Sequence, residues 1–325
     1  MSKMELRIWQ YGLDDHYIPS LLEGMSLAHG EPIRNEEWFH WKFEQSPYGK
    51  AVIACAFDEN RVAGCVAYGM GRMKYQGKEY CCALSYETFV HPNYQGKGLF
   101  KKLIQLAENE MIECGKVKFL YNYPNSNSLT GFKHMGWTER NDLKMFRIRI
   151  ENLLHVAFHV RDIKKSFLPS TSNLDAIISN DLTDIITDWG NEDVVLPIWT
   201  SEYLKWRFFT YPNRYYHVLN TSDFFAISMV GFRGKLKDVH LLYAVSKHEE
   251  TATSYYAKTI LKRIKDETNP DLISYSTTKD DSFLDRVNGF ITVPSHSNFC
   301  YKIINSDFKI DTLKIILPSI NAHTY

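Results

Sequence analysis

Apolar and polar positions alternate or cycle along most of this chain, and the period changes several times. MELRIWQ, at positions 4–10, alternates and predicts a strand. From Asp14 to about His29 the apolar residues Ile18, Leu21, Leu22, Met25 and Leu27 fall at helical spacing and predict an amphipathic helix. Asn35 ahead of Glu36 and Glu37 reads as the capped start of a second helix through Phe43. Three apolar runs follow, KAVIACAF, VAGCVAYGM and YCCALSYETFV. They read as strands joined into hairpins by the short polar turns DENR and KYQGKE. Leu99, Leu103, Ala107 and Met111 mark one stripe of a helix over 99–114. KVKFLYNY predicts a further strand, a short helix leads to Gly136-Trp137, and LKMFRIRI is read as the strand that closes this unit.

The second half repeats the plan. EEWFHWKFEQSPYGK places Trp41, a basic residue and Phe43 in the order in which SEYLKWRFFTYPNRY places Trp206, Arg207 and Phe208. Further on, the strand-and-helix stretch that ends in Gly136-Trp137 is matched by one that ends in Gly289-Phe290. Two matches in the same order predict a duplicated domain. A helix is expected over 201–209 and another from Thr253 to Lys265. Strands are expected at YYHVLN, FFAISMVGF, DVHLLYAV and LISYST, and the stretch FITVPSHSNFCYKII is again strand-like. The expected division is residues 1–150, a Ser/Pro-rich connector at 151–175, and residues 176–325. Because they recur in both halves, Trp41 and Trp206 are read as core anchors.

Composition narrows the partners. Lys+Arg and Asp+Glu both total 38, so net charge gives no pull toward a nucleic acid. No apolar run approaches the roughly 20 residues that span a bilayer, and the start lacks a secretion signal's apolar centre. Six cysteines show no CxxC pair, and the histidines form no HExxH. The expectation is a reduced, cytoplasmic protein with no metal, no nucleic-acid partner and no membrane partner; a homodimer is left open.

One stretch resists a purely structural reading. VHPNYQGKGLFKKLI, residues 90–104, leaves a strand, inserts Gly96 and Gly98, and starts a helix. Glycines before a helix let its first, unpaired N–H groups converge on an anion, with Lys97, Lys101 and Lys102 adding positive charge. The turn is neither a P-loop nor a GxGxxG dinucleotide turn. With its flanking strand and helix it resembles motif A of the GNAT N-acyltransferase superfamily, Q/R-x-x-G-x-G/A, on which Gln95, Gly96, Lys97, Gly98, Leu99 and Phe100 fall. Asn125, seven residues before Phe132, and then Gly136-Trp137 resemble that family's next motif. Phe100 stands where a small residue is usual, and Phe132 where many members have a tyrosine.

The resemblance implies a mixed α/β (α+β) fold of two GNAT-like domains in tandem, each a mostly antiparallel central sheet flanked by helices. It implies acetyl-CoA as cosubstrate, with its pyrophosphate on the amides of Gln95 to Phe100. An amine, most simply on a small molecule such as an amino sugar, would attack the thioester directly. The oxyanion donor maps to a backbone N–H at Phe89 or Val90, where the central strand splays from its neighbour. Glu87 is the candidate base, or else a structural carboxylate. The proton for the leaving thiolate is assigned to Tyr123, with Tyr121 and His134 as alternatives. Asn125 is either a pantetheine contact or a plain helix cap. The second half, which has no glycine between Gly234 and Gly289 and carries Glu249 and Glu250 where a phosphate would bind, is expected to keep the fold without the cofactor. A CoA-binding protein without turnover is the alternative that Phe132 leaves open; a relative using charged tRNA is a third, which would have no use for a CoA turn.

Overall fold

The computed structural model describes residues 4–30, 33–140, 145–165, 167–170, 194–211, 216–246, 253–277, 287–293, 298–305, 308 and 314–315. Two mostly antiparallel sheets carry the fold, with helices packed on their faces. The first sheet contains β1 (Glu5–Ile8), β2 (Val52–Asp58), β3 (Arg61–Tyr75), β4 (Lys78–Val90), β5 (Val117–Asn122) and β6 (Thr138–Arg140). Helices α1 (Ile18–His29) and α2 (Glu36–Phe43) precede β2, α3 (Leu99–Cys114) connects β4 to β5, and α4 (Ser126–His134) follows β5. Sheet two contains β7 (Met145–Ile150), β8 (Leu168–Pro169), β10 (His217–Asn220), β11 (Phe224–Arg233), β12 (Leu236–Ser246), β13 (Leu272–Thr277) and β14 (Phe290–Val293). Three further strands, β9 (Val194–Pro197), β15 (Phe299–Ile303) and β16 (Lys314–Ile315), join the first sheet although they lie in the second half of the sequence. Short helices α5 (Leu153–Phe158) and α6 (Ser201–Leu204), and the longer α7 (Thr253–Thr268), complete the described elements.

The helices form where the sequence signals place them. Pro19 opens α1, Gly30 ends it at φ 67°, and Ile18, Leu21, Leu22 and Met25 turn inward. Asn35 caps α2, its Oδ1 accepting from the Trp38 N–H at 3.0 Å. Glycines at both ends bound α3, whose stripe of Leu99, Leu103, Ala107 and Met111 is buried against the sheet with Ile104. The helix read over 201–209 is α only to Leu204 and continues to Phe209 as a π turn.

Two assignments from periodicity are corrected. LKMFRIRI does not close the first sheet: β7 lies between β13 and β14 in the second. In return β15, from the strand-like FITVPSHSNFCYKII stretch, lies between β5 and β6 in the first. Alternation reports which face of a strand is apolar and says nothing of which neighbour it joins. The Ser/Pro-rich stretch read as a connector holds α5, a 3₁₀ turn at Val160–Lys164 and β8, which pairs with β11; its residues 171–175 lie outside the described residues, as does the second half's counterpart of the glycine turn at 247–252.

The duplication is visible as a reciprocal contact. Trp41 and Trp206, 165 residues apart, stack with centroids 5.1 Å apart and planes 20° from parallel. The Trp41 indole N–H donates to the Trp206 carbonyl at 3.1 Å, and the Trp206 indole N–H donates to the Trp41 carbonyl at 3.0 Å. Each half thus presents the same donor and acceptor to the other, as in a two-fold dimer. Among the described residues no helix is long and apolar enough to cross a membrane, and no group of His, Cys, Asp or Glu side chains is placed to hold a metal.

Because β15 supplies the strand between β5 and β6, a fragment of residues 1–150 is expected to lack a cooperative thermal transition by circular dichroism. Mixing or co-expressing it with residues 151–325 should restore one. A sharp transition in the 1–150 fragment alone would contradict this account.

Candidate active site

The site begins with a fault in β4. Its ladder with β3 runs Cys65 opposite Phe89 and Ala67 opposite Tyr86, so Glu87 and Thr88 together face Val66. Glu87 takes φ 49°, a left-handed conformation that costs a residue with a β-carbon roughly 1–2 kcal/mol. Contacts on either side hold it there. Its Oε1 accepts from Arg34 Nη1 at 3.1 Å and lies 3.8 Å from Lys42 Nζ, and its carbonyl accepts from the Cys65 thiol. The Arg34 guanidinium lies 4.1 Å from the centre of the Trp38 ring. Both cations sit on Oε1; among the described residues no donor reaches Oε2.

The same strand parts from its other neighbour. Pairing of β4 with β5 ends at Leu84 opposite Tyr121, so the edge of β4 from Ser85 to Val90 is turned to open space rather than to β5. A cavity of about 610 Å³ occupies that opening. Its walls are Leu84–Val90 of β4, Asn122–Asn125 at the end of β5, Phe132 of α4, and Ala28 and His29 at the end of α1.

One rim of the cavity is the glycine turn. Gln95, Gly96, Gly98, Leu99 and Phe100 line it. Gly96 at φ 75° and Gly98 at φ 71° are left-handed, and a β-carbon on either would meet nothing within 4 Å. Backbone shape therefore demands the glycines, and the space in front of them is clear. Gln95 Nε2 donates to the Val90 carbonyl at 3.2 Å and clips the turn to the strand. The first backbone bond of α3 runs from the Lys102 N–H to the Gly98 carbonyl at 3.3 Å. Among the described residues, no acceptor faces the N–H groups of residues 96–101. These amides lie at the positive end of a 16-residue helix. Lys97 is not on the cavity wall; its ammonium lies 5.1 Å from the Tyr94 ring.

Phe100, the bulky residue at the last cradle position, packs across the cleft. Its ring meets Phe132 edge-on at 5.5 Å and covers Gly131, where a β-carbon would lie 2.7 Å from Phe100 Cε1. Phe132 is buried among Phe100 and Trp137, so the position carries packing and no hydroxyl. Tyr123 lines the cavity, and burial holds its phenol well above its ordinary pKa, so it stays protonated. Tyr121 is buried off the wall, and His134 is exposed and off the wall. Asn125 holds the start of a helix and also faces the cavity. It caps α4, Oδ1 accepting from the Ser128 N–H at 2.9 Å, and it lines the cavity. Phe89 turns its ring away onto α1 at Gly24, which leaves only its backbone toward the opening.

The cavity therefore brings together Glu87, Phe89, Val90, Gln95, Gly96, Gly98, Leu99, Phe100, Tyr123 and Asn125, and leaves out Lys97. Sequence reasoning missed Ser85, Thr88 and Asn122 on the strands, His29 at the end of α1, and Gly131. For Asn122 and Thr88 the signal was present, since both flank residues already singled out on β5 and β4. Nothing in the sequence marks Gly131 without the Phe100 contact.

Residues 12–139 match the family model described as an acetyltransferase (GNAT) domain. Among solved structures, a GCN5-related N-acetyltransferase from Anabaena variabilis is 12% identical, with 93% of this chain and 73% of that chain covered, at a TM-score of 0.60. A probable N-acyltransferase from Enterococcus faecalis is 11% identical with the same coverage, at 0.61. Saccharomyces cerevisiae N-myristoyltransferase, solved with bound myristoyl-CoA and inhibitors, is 12% identical and covers 93% of this chain and 80% of its own, at 0.57. At these identities the likeness is one of fold. No curated protein matches the sequence.

Gly131→Ala tests the packing of the cradle. In an open helix the change would stabilise by about 0.5–1 kcal/mol, whereas here the β-carbon meets Phe100 and a loss of about 1–3 kcal/mol is expected. In a Phe100→Ala background the sign should reverse, as read by urea denaturation of the four proteins of the cycle. Equal effects in both backgrounds would mean that Phe100 and Gly131 do not constrain each other.

Proposed function

With residues 12–139 forming a GNAT acetyltransferase domain, we propose that this chain is an N-acyltransferase that moves an acetyl group from acetyl-CoA to a primary amine of a small molecule. One observation carries the reading: a row of amides that no acceptor faces among the described residues, at the start of α3, opens onto the same cavity as the free edge of β4. The first suits a pyrophosphate and the second a thioester, and they share one continuous space. A short acyl group is favoured because the far side of β4 is filled. Tyr86 lies against Gly69 and Phe89 against Gly24 so closely that a β-carbon on either glycine would fall within 2.4 Å of a ring.

In this reading the amides of Gln95 to Phe100 hold the pyrophosphate and Asn125 stands beside the pantetheine arm. A backbone N–H of the free β4 edge, at Phe89 or Val90, donates to the thioester oxygen as it gains charge. Glu87 Oε2 takes the proton of the incoming ammonium, while Arg34 and Lys42 hold Oε1. The amine nitrogen then forms its bond to the carbonyl carbon, and as the carbon–sulfur bond breaks the nitrogen loses its second proton to solvent, which also restores the proton of the donor phenol. Tyr123, which lines the cavity, gives its proton to the departing thiolate. The acceptor enters beside Glu87. A second reading, a CoA-binding protein without turnover, draws on Phe132, which brings no hydroxyl to the wall.

Binding and turnover separate these readings. Acetyl-CoA should raise the unfolding midpoint of the wild type, by about 2.7 kcal/mol of stabilisation at a hundred times its dissociation constant. Gly98→Glu, which sets a carboxylate on the cradle, should fold and show no such shift. No shift in the folded wild type at millimolar acetyl-CoA would sink the acyltransfer reading.

For the chemistry, Glu87→Gln and Tyr123→Phe should each lower kcat by about 10²-fold or more against a responsive amine, with acetyl-CoA affinity kept. Because the Tyr123 phenol is held above its ordinary pKa, wild-type activity should show no alkaline fall from this group below pH 10. A Glu87→Gln variant that loses stability but keeps kcat would assign Glu87 to the bulge alone.

A further inference from the structure

The splay that opens the cavity leaves β5 without β4 after Tyr121, yet the cavity wall continues from Asn122, the last residue of β5, through Tyr123 and Pro124. Support for that wall comes from the other half of the chain. β15 pairs with the opposite edge of β5, Cys300 against Asn122, Tyr301 against Tyr121 and Ile303 against Phe119. Past the end of this ladder, Asn298 Nδ2 donates to the Pro124 carbonyl at 3.2 Å, across 174 residues of sequence. Phe299, 1% exposed, sets its ring 5.3 Å from that of Tyr123. Pro124 has no N–H to continue a ladder, and its carbonyl immediately precedes the Asn125 cap of α4. The Asn298 amide therefore grips the hinge between a strand that lines the cavity and a helix that also lines it.

We propose that Asn298 and Phe299 are positioning residues of the acyl-transfer site, through which the second half of the chain sets the angle of the Tyr123–Asn125 wall. The consequence for rate rests on the acyltransfer reading above; the mechanical role does not. Asn298 touches no reacting atom. It acts through Pro124 on the turn that aims Tyr123 and starts α4. Phe299 acts by packing, since its ring lies against that of Tyr123 and is not itself on the cavity wall. The glycine cradle, Gln95 to Phe100, leads into α3, and neither Asn298 nor Phe299 lines the cavity with it, so loss of this grip should leave pyrophosphate binding intact.

The test uses the full chain with Asn298→Ala, with Asn298→Asp, which keeps the shape and removes the N–H donor, with Asn298→Gln, which keeps a donor, and with Phe299→Leu. Amide hydrogen exchange is read peptide by peptide, beside acetyl-CoA affinity and steady-state kinetics with a responsive amine. In Asn298→Ala and Asn298→Asp, exchange should quicken several-fold in peptides covering 119–134, while peptides covering 90–104 and the second sheet keep wild-type rates. Acetyl-CoA affinity should stay within about twofold as kcat falls about tenfold, and Asn298→Gln should recover part of the loss. Phe299→Leu should quicken exchange in the same peptides. Unchanged exchange at 119–134 would overturn the proposal. So would loosening spread evenly over both sheets, or an unchanged kcat in folded variants of an active protein. A wild type that neither binds acetyl-CoA nor turns over would remove the acyltransfer reading, and the exchange pattern alone would then decide the mechanical role.

Discussion

β5 has two edges, and every backbone N–H and C=O along a buried strand needs a partner. That constraint organises the first sheet. β4 pairs with β5 only as far as Leu84 and Tyr121, then departs to leave the cavity. Where the two strands part, at Asn122, the edge of β5 that is still paired is the opposite one. β15 pairs with that edge, so a strand from beyond residue 298 completes the sheet on which the cavity of the first half lies. The exchange of β7 for β15 is thus tied to the opening of the cavity: the wall that faces the opening is the one that the borrowed strand supports.

At the opening itself, local preference gives way repeatedly. Glu87 sits at a positive φ that favours glycine, held there by Arg34, Lys42 and the Cys65 thiol. Gly96 and Gly98 leave amides that no acceptor faces among the described residues, and Phe100 brings bulk to the turn, accommodated by the bare Cα of Gly131. Departures of this kind gather where a protein binds or reacts, because elsewhere they would only cost stability. They all face one cavity.

Much of this could be read from the sequence, and the boundary of what could follows a physical line. The stripe of α3, the Asn35 cap and the three hairpin strands are local signals, and each appears where expected. The glycine turn is local too, which is why its residues could be named before its shape was known. Partners across the sheet are not local. Alternation in LKMFRIRI marks a strand but carries no address, so its place between β13 and β14 was invisible. Glu87 was singled out for its carboxylate, and nothing in its type foretold the bulge. Trp41 and Trp206 were legible as anchors because they recur; that each donates to the other's carbonyl needs the three-dimensional arrangement.

The reciprocal tryptophans and the exchanged strands together describe something that two separate chains could also build: a pair of like subunits trading their last strands across a two-fold axis. Here both partners lie in one polypeptide. Such a pair of separate chains would come apart on dilution, and its working form would depend on protein concentration. Joined in one chain, the halves meet at an effective concentration set by the connection between them, on the order of millimolar or more for a short link. The completed wall of the cavity is therefore a property of each single molecule. Freed from the need to be identical, the two halves can diverge in sequence while each still lends its strand to the other.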